Sequence, residues 1–173
     1  MGRRQADRMS GRPEASPRNR RRSGACRQAM ILYLDTSSLI KLYVEEEGSE
    51  TVRADVAGAE IIATSLLSYP EARAALARLR RERSLTPAEH RRAKSAFDQD
   101  WERYLVVLVA EPICRDAASL AESHGLRAYD SVNLECYRTL LLQGGGDVRF
   151  SSFDRRLNQV AARESRRHRR SES

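Results

Sequence analysis

The sequence predicts an α/β fold in which helices cover both faces of a parallel sheet. From Met30 onward, short apolar runs alternate with longer segments of helical periodicity. The apolar runs read as strands that are buried on both faces, which is typical of parallel sheets. Regular alternation of such strands with helices is typical of a parallel sheet between two helical layers.

The predicted elements follow one another without an internal repeat. The predicted strands are residues 31–34, 60–63, 105–109 and 148–150. The predicted helices are a short one around 38–44, then 50–57, 68–83, 86–103, 112–124, 129–142 and 154–161. Several boundaries have local signals: Thr86 to Glu89 has the form of a capping box with proline in the first turn, and Gly125 follows the helix that ends at His124.

The two ends of the chain differ in composition from the part between them. Residues 1–29 are predicted to be a disordered basic extension, because they are rich in Arg, Ser, Gly and Pro and nearly lack large apolar side chains. Met30 opens the first strand, which supports the hypothesis that Met30 is the natural start. Residues 30–162 are predicted to form the folded domain, and residues 163–173 a frayed basic tail.

The net charge lies mainly in those two ends. The first 29 residues carry +7 and residues 163–173 carry +3, which leaves residues 30–162 at −3. The charge of the domain therefore gives no support to a basic RNA-binding face.

Composition also bears on the compartment. No apolar run is long enough to span a bilayer, and no secretory apolar segment follows the basic start. We therefore expect a cytoplasmic protein that has no membrane partner. Cys26, Cys114 and Cys136 form no C-x-x-C pair, so neither a zinc knuckle nor a disulfide framework is predicted.

Four acidic residues lie at the ends of predicted elements: Asp35, Glu71, Asp130 and Asp154. Asp35 follows the first strand directly, and Asp154 lies four residues beyond the last one. Because loops at the carboxyl ends of parallel strands form the ligand crevice, these two loops can converge. Glu71 and Asp130 stand in the first turns of their helices.

Gathering these acids in one crevice would require a cation. Two carboxylates about 5 Å apart repel by roughly 3 kcal/mol at an effective dielectric constant near 20. Mg²⁺ or Mn²⁺ would cancel this repulsion, since hard cations prefer oxygen ligands. Each acid also has a structural interpretation. Asp35 and Asp154 are suitable N-caps, Glu71 completes an S-x-x-E capping box with Ser68, and Asp130 suits a helix N-terminus. The residues alone leave both interpretations open.

Four segments together resemble the PIN-domain family, and within it the VapC-type toxins. They are residues 33–42 (YLDTSSLIKL), 64–76 (TSLLSYPEARAAL), 125–134 (GLRAYDSVNL) and 150–157 (FSSFDRRL). Their order and spacing agree with the family across about 130 residues, from Met30 to Ala162. The chain departs from the family pattern at Ser152, where threonine is usual, and at Pro70, directly before the second acid.

The resemblance implies a three-layer α/β/α fold with a central parallel sheet of four or five short strands. It implies an endoribonuclease dependent on Mg²⁺ or Mn²⁺ that forms a homodimer and is held inactive by a protein antitoxin. Asp35, Glu71, Asp130 and Asp154 would be the catalytic acids, and Asp35, Asp130 and Asp154 would bind the metal. Ser37 and Ser152 would orient these acids through their hydroxyl groups. Water would attack an RNA phosphodiester in line and leave 5′-phosphate and 3′-hydroxyl ends.

Three other functions compete with this one. A phosphotransfer domain also places an aspartate after its first parallel strand, but a dehalogenase-type site needs a second aspartate where Ser37 stands. A PIN-like module that binds RNA or protein without cleavage would lack one or more acids, and all four are present. A PIN nuclease for RNA processing, with no toxin role, stays open.

Overall fold

The computed structural model describes residues 29–143 and 147–171. Two sets of predictions lie outside these residues: those for residues 1–28, and the three glycines 144–146 that were predicted to end a helix. Within the described residues no helix has both the length and the apolar character needed to cross a membrane.

Four strands and seven α-helices make up the described residues. The strands are β1 (Ile31–Leu34), β2 (Ile61–Ser65), β3 (Leu105–Val107) and β4 (Val148–Ser151). The helices are α1 (Thr36–Leu39), α2 (Ser49–Ala57), α3 (Ser68–Arg81), α4 (Pro87–Trp101), α5 (Glu111–His124), α6 (Ala128–Gln143) and α7 (Arg155–Ser171). A short 3₁₀ helix, Ile40–Leu42, continues α1.

The strands form one parallel sheet in the order β3-β2-β1-β4. Consecutive side chains of β1 point to opposite faces, so Leu32 and Leu34 pack on one side and Tyr33 on the other. The Leu32 side is covered by residues of α1 to α4, including Phe97. The Tyr33 side is covered by α5, α6 and α7, including Leu134. The predicted three-layer α/β/α fold is therefore confirmed, with four strands in the described part of the chain.

Most helix boundaries agree with the sequence prediction. Thr86 forms the predicted capping box: its hydroxyl accepts from the Glu89 amide at 3.2 Å, and its own amide donates to the Glu89 carboxylate at 2.8 Å. Gly125 ends α5 in the left-handed conformation, with φ of +57°. The predicted helix around residues 38–44 is instead α1 followed by the 3₁₀ helix.

The largest difference is the length of α7. The sequence predicts that the last helix ends at Ala161 and that residues 163–173 fray, whereas α7 continues to Ser171. Glu164 explains this difference, because it is only 6% exposed and pairs with Arg138 of α6. Because Glu164 is charged, it does not continue the apolar pattern of the helix. The prediction from periodicity therefore placed the end of the helix too early.

Candidate active site

The candidate site lies next to β1, at the point in the sheet where the order of strand addition changes from one side to the other. From β1 the chain builds β2 and β3 on one side, and it later returns to add β4 on the other side of β1. The loops after β1 and β4 therefore lead away in opposite directions and open a crevice between them. The Asp35 amide donates to the Ser151 carbonyl at 3.0 Å, which joins the two loops at this point.

Asp35 is the most deeply buried of the four acids, at 7% exposure. Its Oδ2 accepts hydrogen bonds from the Ser37 hydroxyl at 2.8 Å and from the Ser152 hydroxyl at 3.0 Å. Asp35 occupies the N-cap position of α1, but its side chain makes no capping hydrogen bond. Both serines therefore contact Asp35 as the resemblance implied, and the simple capping interpretation of Asp35 is wrong.

Glu71 points from the first turn of α3 towards the loop after β1. The Thr36 hydroxyl donates to Glu71 Oε2 at 2.5 Å. The pKa of Glu71 is raised, and burial is the largest cause. The negative charges of Asp35 and Asp130 raise it further, whereas the hydrogen bond from Thr36 lowers it. The capping box with Ser68 does not form, since α3 begins without a side-chain cap.

Asp130 and Asp154 approach the same crevice from the starts of α6 and α7. Burial raises the pKa of Asp130, the negative charges of Asp35 and Asp154 raise it further, and Arg127 opposes the shift. Asp154 Oδ1 accepts from the Leu157 amide at 2.9 Å, so one of its oxygens caps α7 as the structural interpretation expected.

The four acids thus lie within electrostatic reach of one another. Asp35 and Asp130 both act on Glu71, and Asp35 and Asp154 both act on Asp130. Within residues 29–143 and 147–171, none of the four forms an ion pair with Lys, Arg or His. Hydroxyl groups donate to Glu71 and Asp35. Among the described residues, the charge of Arg127 acts on Asp130 without forming an ion pair with it.

A divalent cation fits the chemistry of these donors, although the side chains do not form a closed ligand set. Hard oxygen ligands suit Mg²⁺ or Mn²⁺, and mutual repulsion among the acids favours a cation between them. In the described part of the chain, no three His, Cys, Asp or Glu side chains are gathered as a metal site requires. Mg²⁺ commonly keeps several waters and uses one or two carboxylates, so a closed set is not required. The ligands Asp35, Asp130 and Asp154 stay a prediction.

Sequence reasoning assigned no role to Thr36 or Asn133, and both contact Glu71. A hydrogen bond from Asn133 lowers the pKa of Glu71. Asn133 is 1% exposed; its Oδ1 accepts from the Tyr33 hydroxyl at 3.0 Å, and its Nδ2 lies 3.3 Å from the Tyr129 carbonyl. The signal was present in the sequence, since Asn133 lies three residues after Asp130 and therefore on the same side of α6.

Comparisons with known proteins identify the family of this chain. The family model described as PIN domain matches residues 32–163. The chain is 33% identical over 131 residues to Ribonuclease VapC45 of Mycobacterium tuberculosis (strain CDC 1551 / Oshkosh), a match that covers 76% of this chain and 89% of the relative. Ribonuclease VapC49 of Mycobacterium tuberculosis (strain ATCC 25618 / H37Rv) matches with the same identity and coverage. On this evidence the chain belongs to the PIN-domain family and is of the VapC type.

Proposed function

We propose that this protein is a metal-dependent endoribonuclease that acts as the toxin of a toxin–antitoxin pair in the cytoplasm. The observation that carries the proposal is that four acids near the β1 and β4 loops act electrostatically on one another, and that none of them forms an ion pair among the described residues. The similarity to proteins named as ribonucleases supports the substrate class.

We assign a different role to each side chain according to its surroundings. Asp35, Asp130 and Asp154 would hold Mg²⁺ or Mn²⁺, and Ser37 and Ser152 fix the orientation of the Asp35 carboxylate. When bound, the ion supplies a Lewis acid that makes water more acidic and stabilises charge on the scissile phosphate. Without a cation, the acids would repel the phosphodiester.

Glu71 is suited to proton transfer. Its raised pKa makes it a stronger base than an ordinary glutamate. The hydrogen bond from Thr36 to Oε2 holds the carboxylate in one orientation. Glu71 would accept the proton that the attacking water loses.

Incubation of the purified protein with RNA tests the proposal. We expect cleavage with Mg²⁺ or Mn²⁺, no cleavage with a chelator, and a loss of about 100-fold or more in Asp130→Asn, because this substitution removes a proposed ligand of the ion. Asp116→Asn is the matched control, because Asp116 is exposed on α5, away from the starts of α3, α6 and α7. Cleavage that survives the chelator or Asp130→Asn contradicts the mechanism, and absence of cleavage leaves a PIN module that only binds.

The partners belong to the same proposal. A short gene that overlaps or abuts this one upstream should encode the antitoxin, and co-expression of its product should suppress cleavage and give a complex on gel filtration. Light scattering of the purified toxin should give twice the chain mass if the protein is a homodimer. Cleavage that is unaffected by the neighbouring gene product would favour an RNA-processing nuclease without a toxin role.

A further inference from the structure

A cavity of about 480 Å³ lies between α2 and β4 and extends along β4 to Ser152 and Phe153. Its volume is within the range of about 300–1,000 Å³ that is typical of small-molecule sites. The side chains that line it include Thr51, Ala54, Asp55, Arg149, Ser152 and Phe153. Ser152 belongs to both places, since its hydroxyl also donates to Asp35 at 3.0 Å. Ser152 therefore connects the cavity to Asp35.

Phe153 stands at the rim of this cavity with 45% of its surface exposed. The Lys41 ammonium lies 4.1 Å from the centroid of the ring. Lys41 is itself 8% exposed and is held by Glu46 Oε1 at 2.8 Å and by the Glu47 carbonyl at 2.7 Å. The ring thus has a fixed cation beside it and a large surface left to the solvent.

Gly48 allows the ring to take this position. A Cβ at Gly48 would lie 2.2 Å from Phe153 Cε1, and the backbone of Gly48 has φ of +88°. Any side chain there would displace the ring and would also strain the backbone. The Phe153 amide donates to the Ser37 hydroxyl at 2.9 Å, and the same hydroxyl donates to Asp35. The ring is therefore held in a fixed position relative to the acids.

We propose that this cavity, with the Phe153 ring at its rim, binds one nucleobase of the RNA substrate, next to the cleaved bond. The inference rests on the proposed ribonuclease function and extends it to substrate binding. A nucleobase is neutral and has a π face, so it can stack on an aromatic ring. Acidic side chains nearby repel a phosphate group but not a neutral base. Asp55 and Arg149 offer an acceptor and donors to the edge of the base.

The test measures binding by the full chain carrying Asp130→Asn, so that RNA stays intact. Fluorescence anisotropy in Mg²⁺ gives Kd for oligo(A) and oligo(U) of about 12 nucleotides and for an abasic ribose-phosphate oligomer of the same length. We expect the base-bearing oligomers to bind about tenfold tighter than the abasic one, and Phe153→Leu to remove most of that difference. Phe153→Leu should leave Kd for the abasic oligomer unchanged, which also shows that the variant is folded.

Two further variants sharpen the result. Ala54→Leu narrows the cavity without touching the ring and should also weaken binding of the base-bearing oligomers only. Leu142→Ala removes another exposed apolar side chain, 66% exposed at the far end of α6, and should change nothing. Equal affinity for base-bearing and abasic oligomers, or an equal loss for both in Phe153→Leu, overturns the proposal and leaves the cavity to another occupant, such as an antitoxin peptide. RNA cleavage by the unmodified chain tests the ribonuclease function separately.

Discussion

The acidic site and the contact between α6 and α7 both contain buried carboxylates, but their negative charge is compensated in different ways. Between the two helices, Glu164 lies 3.1 Å from Arg138 Nε, and Arg138 also contacts Glu135 at 2.6 Å. At the acidic site the neighbours are hydroxyls, from Thr36 to Glu71 and from two serines to Asp35.

This difference separates a structural use of buried acids from a functional one. An acid paired with arginine holds two helices together, and removal of one partner leaves a charge without compensation. Acids that lie near one another without an ion pair repel one another, so they gain stability when a cation binds. The raised pKa of Asp130 reflects that repulsion together with burial.

The largest effect on stability is expected from Glu164→Gln. The free energy of unfolding should fall by about 2 kcal/mol, less than the 3–5 kcal/mol typical of a fully buried pair, because Arg138 keeps Glu135. The melting temperature should fall by about 4–8 °C, while RNA cleavage at 25 °C stays unchanged. Glu122→Gln, an exposed substitution on α5, is the control for thermal and urea unfolding. If Glu164→Gln lost cleavage without losing stability, the α6–α7 contact would have a role in RNA cleavage and not only in folding.

Metal addition should affect the acidic site alone. Mn²⁺ at ten times its Kd should stabilise the unmodified protein by about 1.4 kcal/mol, measured as a shift in the unfolding midpoint. Asp130→Asn should lose most of this gain, whereas Asp116→Asn and Glu164→Gln should keep it, because neither alters the four acids. The comparison fails if Mn²⁺ stabilises Asp130→Asn as much as the unmodified chain.

Ser152 tests whether the hydroxyls position the acids. Ser152→Ala removes the donor to Asp35 and the acceptor of the Asp154 amide, so cleavage should fall about tenfold. Ser152→Thr keeps the hydroxyl and should restore most of the activity. Ser123→Ala, at an exposed position of α5, is the control. If alanine and threonine at position 152 give equal rates, the hydroxyl does not orient the site.

The smallest effect is a dependence of stability on pH. Because the pKa of Glu71 is raised above its usual value of 4.5, the folded state binds more protons than the unfolded state once pH exceeds about 4.5. The contribution of Glu71 to stability is therefore unaffected at lower pH, and falls as pH rises through its folded pKa. Urea unfolding between about pH 4 and 8 should show this loss in the unmodified chain relative to Glu71→Gln. If the difference in the free energy of unfolding between the two proteins does not change with pH, the pKa of Glu71 is not raised.

Much of the fold could be predicted because its signals are local. β1 was predicted at its observed bounds, and the capping box at Thr86 and the glycine end of α5 both formed as expected. The end of α7 could not be predicted, because the residue that holds it, Glu164, is charged and its partner Arg138 lies on another helix. A periodic pattern counts such a residue as exposed.

The candidate site divides in the same way. The resemblance selected the four acids from their positions in four segments, and in the structure each of them acts electrostatically on at least one of the others. Their hydroxyl partners were harder to find. Ser37 and Ser152 followed from the resemblance, but Thr36 and Asn133 gained a role only when α3 and α6 were seen to bring Glu71 to them.

Periodicity and capping signals were enough to assign the strands, the helices and the acids at their ends, because these signals involve residues a few positions apart. The hydrogen bond between Asp35 and Ser152, which are separated by more than a hundred residues, depends on the arrangement of the whole sheet. That contact requires β4 to return beside β1 in the order β3-β2-β1-β4, and the order depends on how helices cross over the sheet. Local patterns do not encode such a crossing.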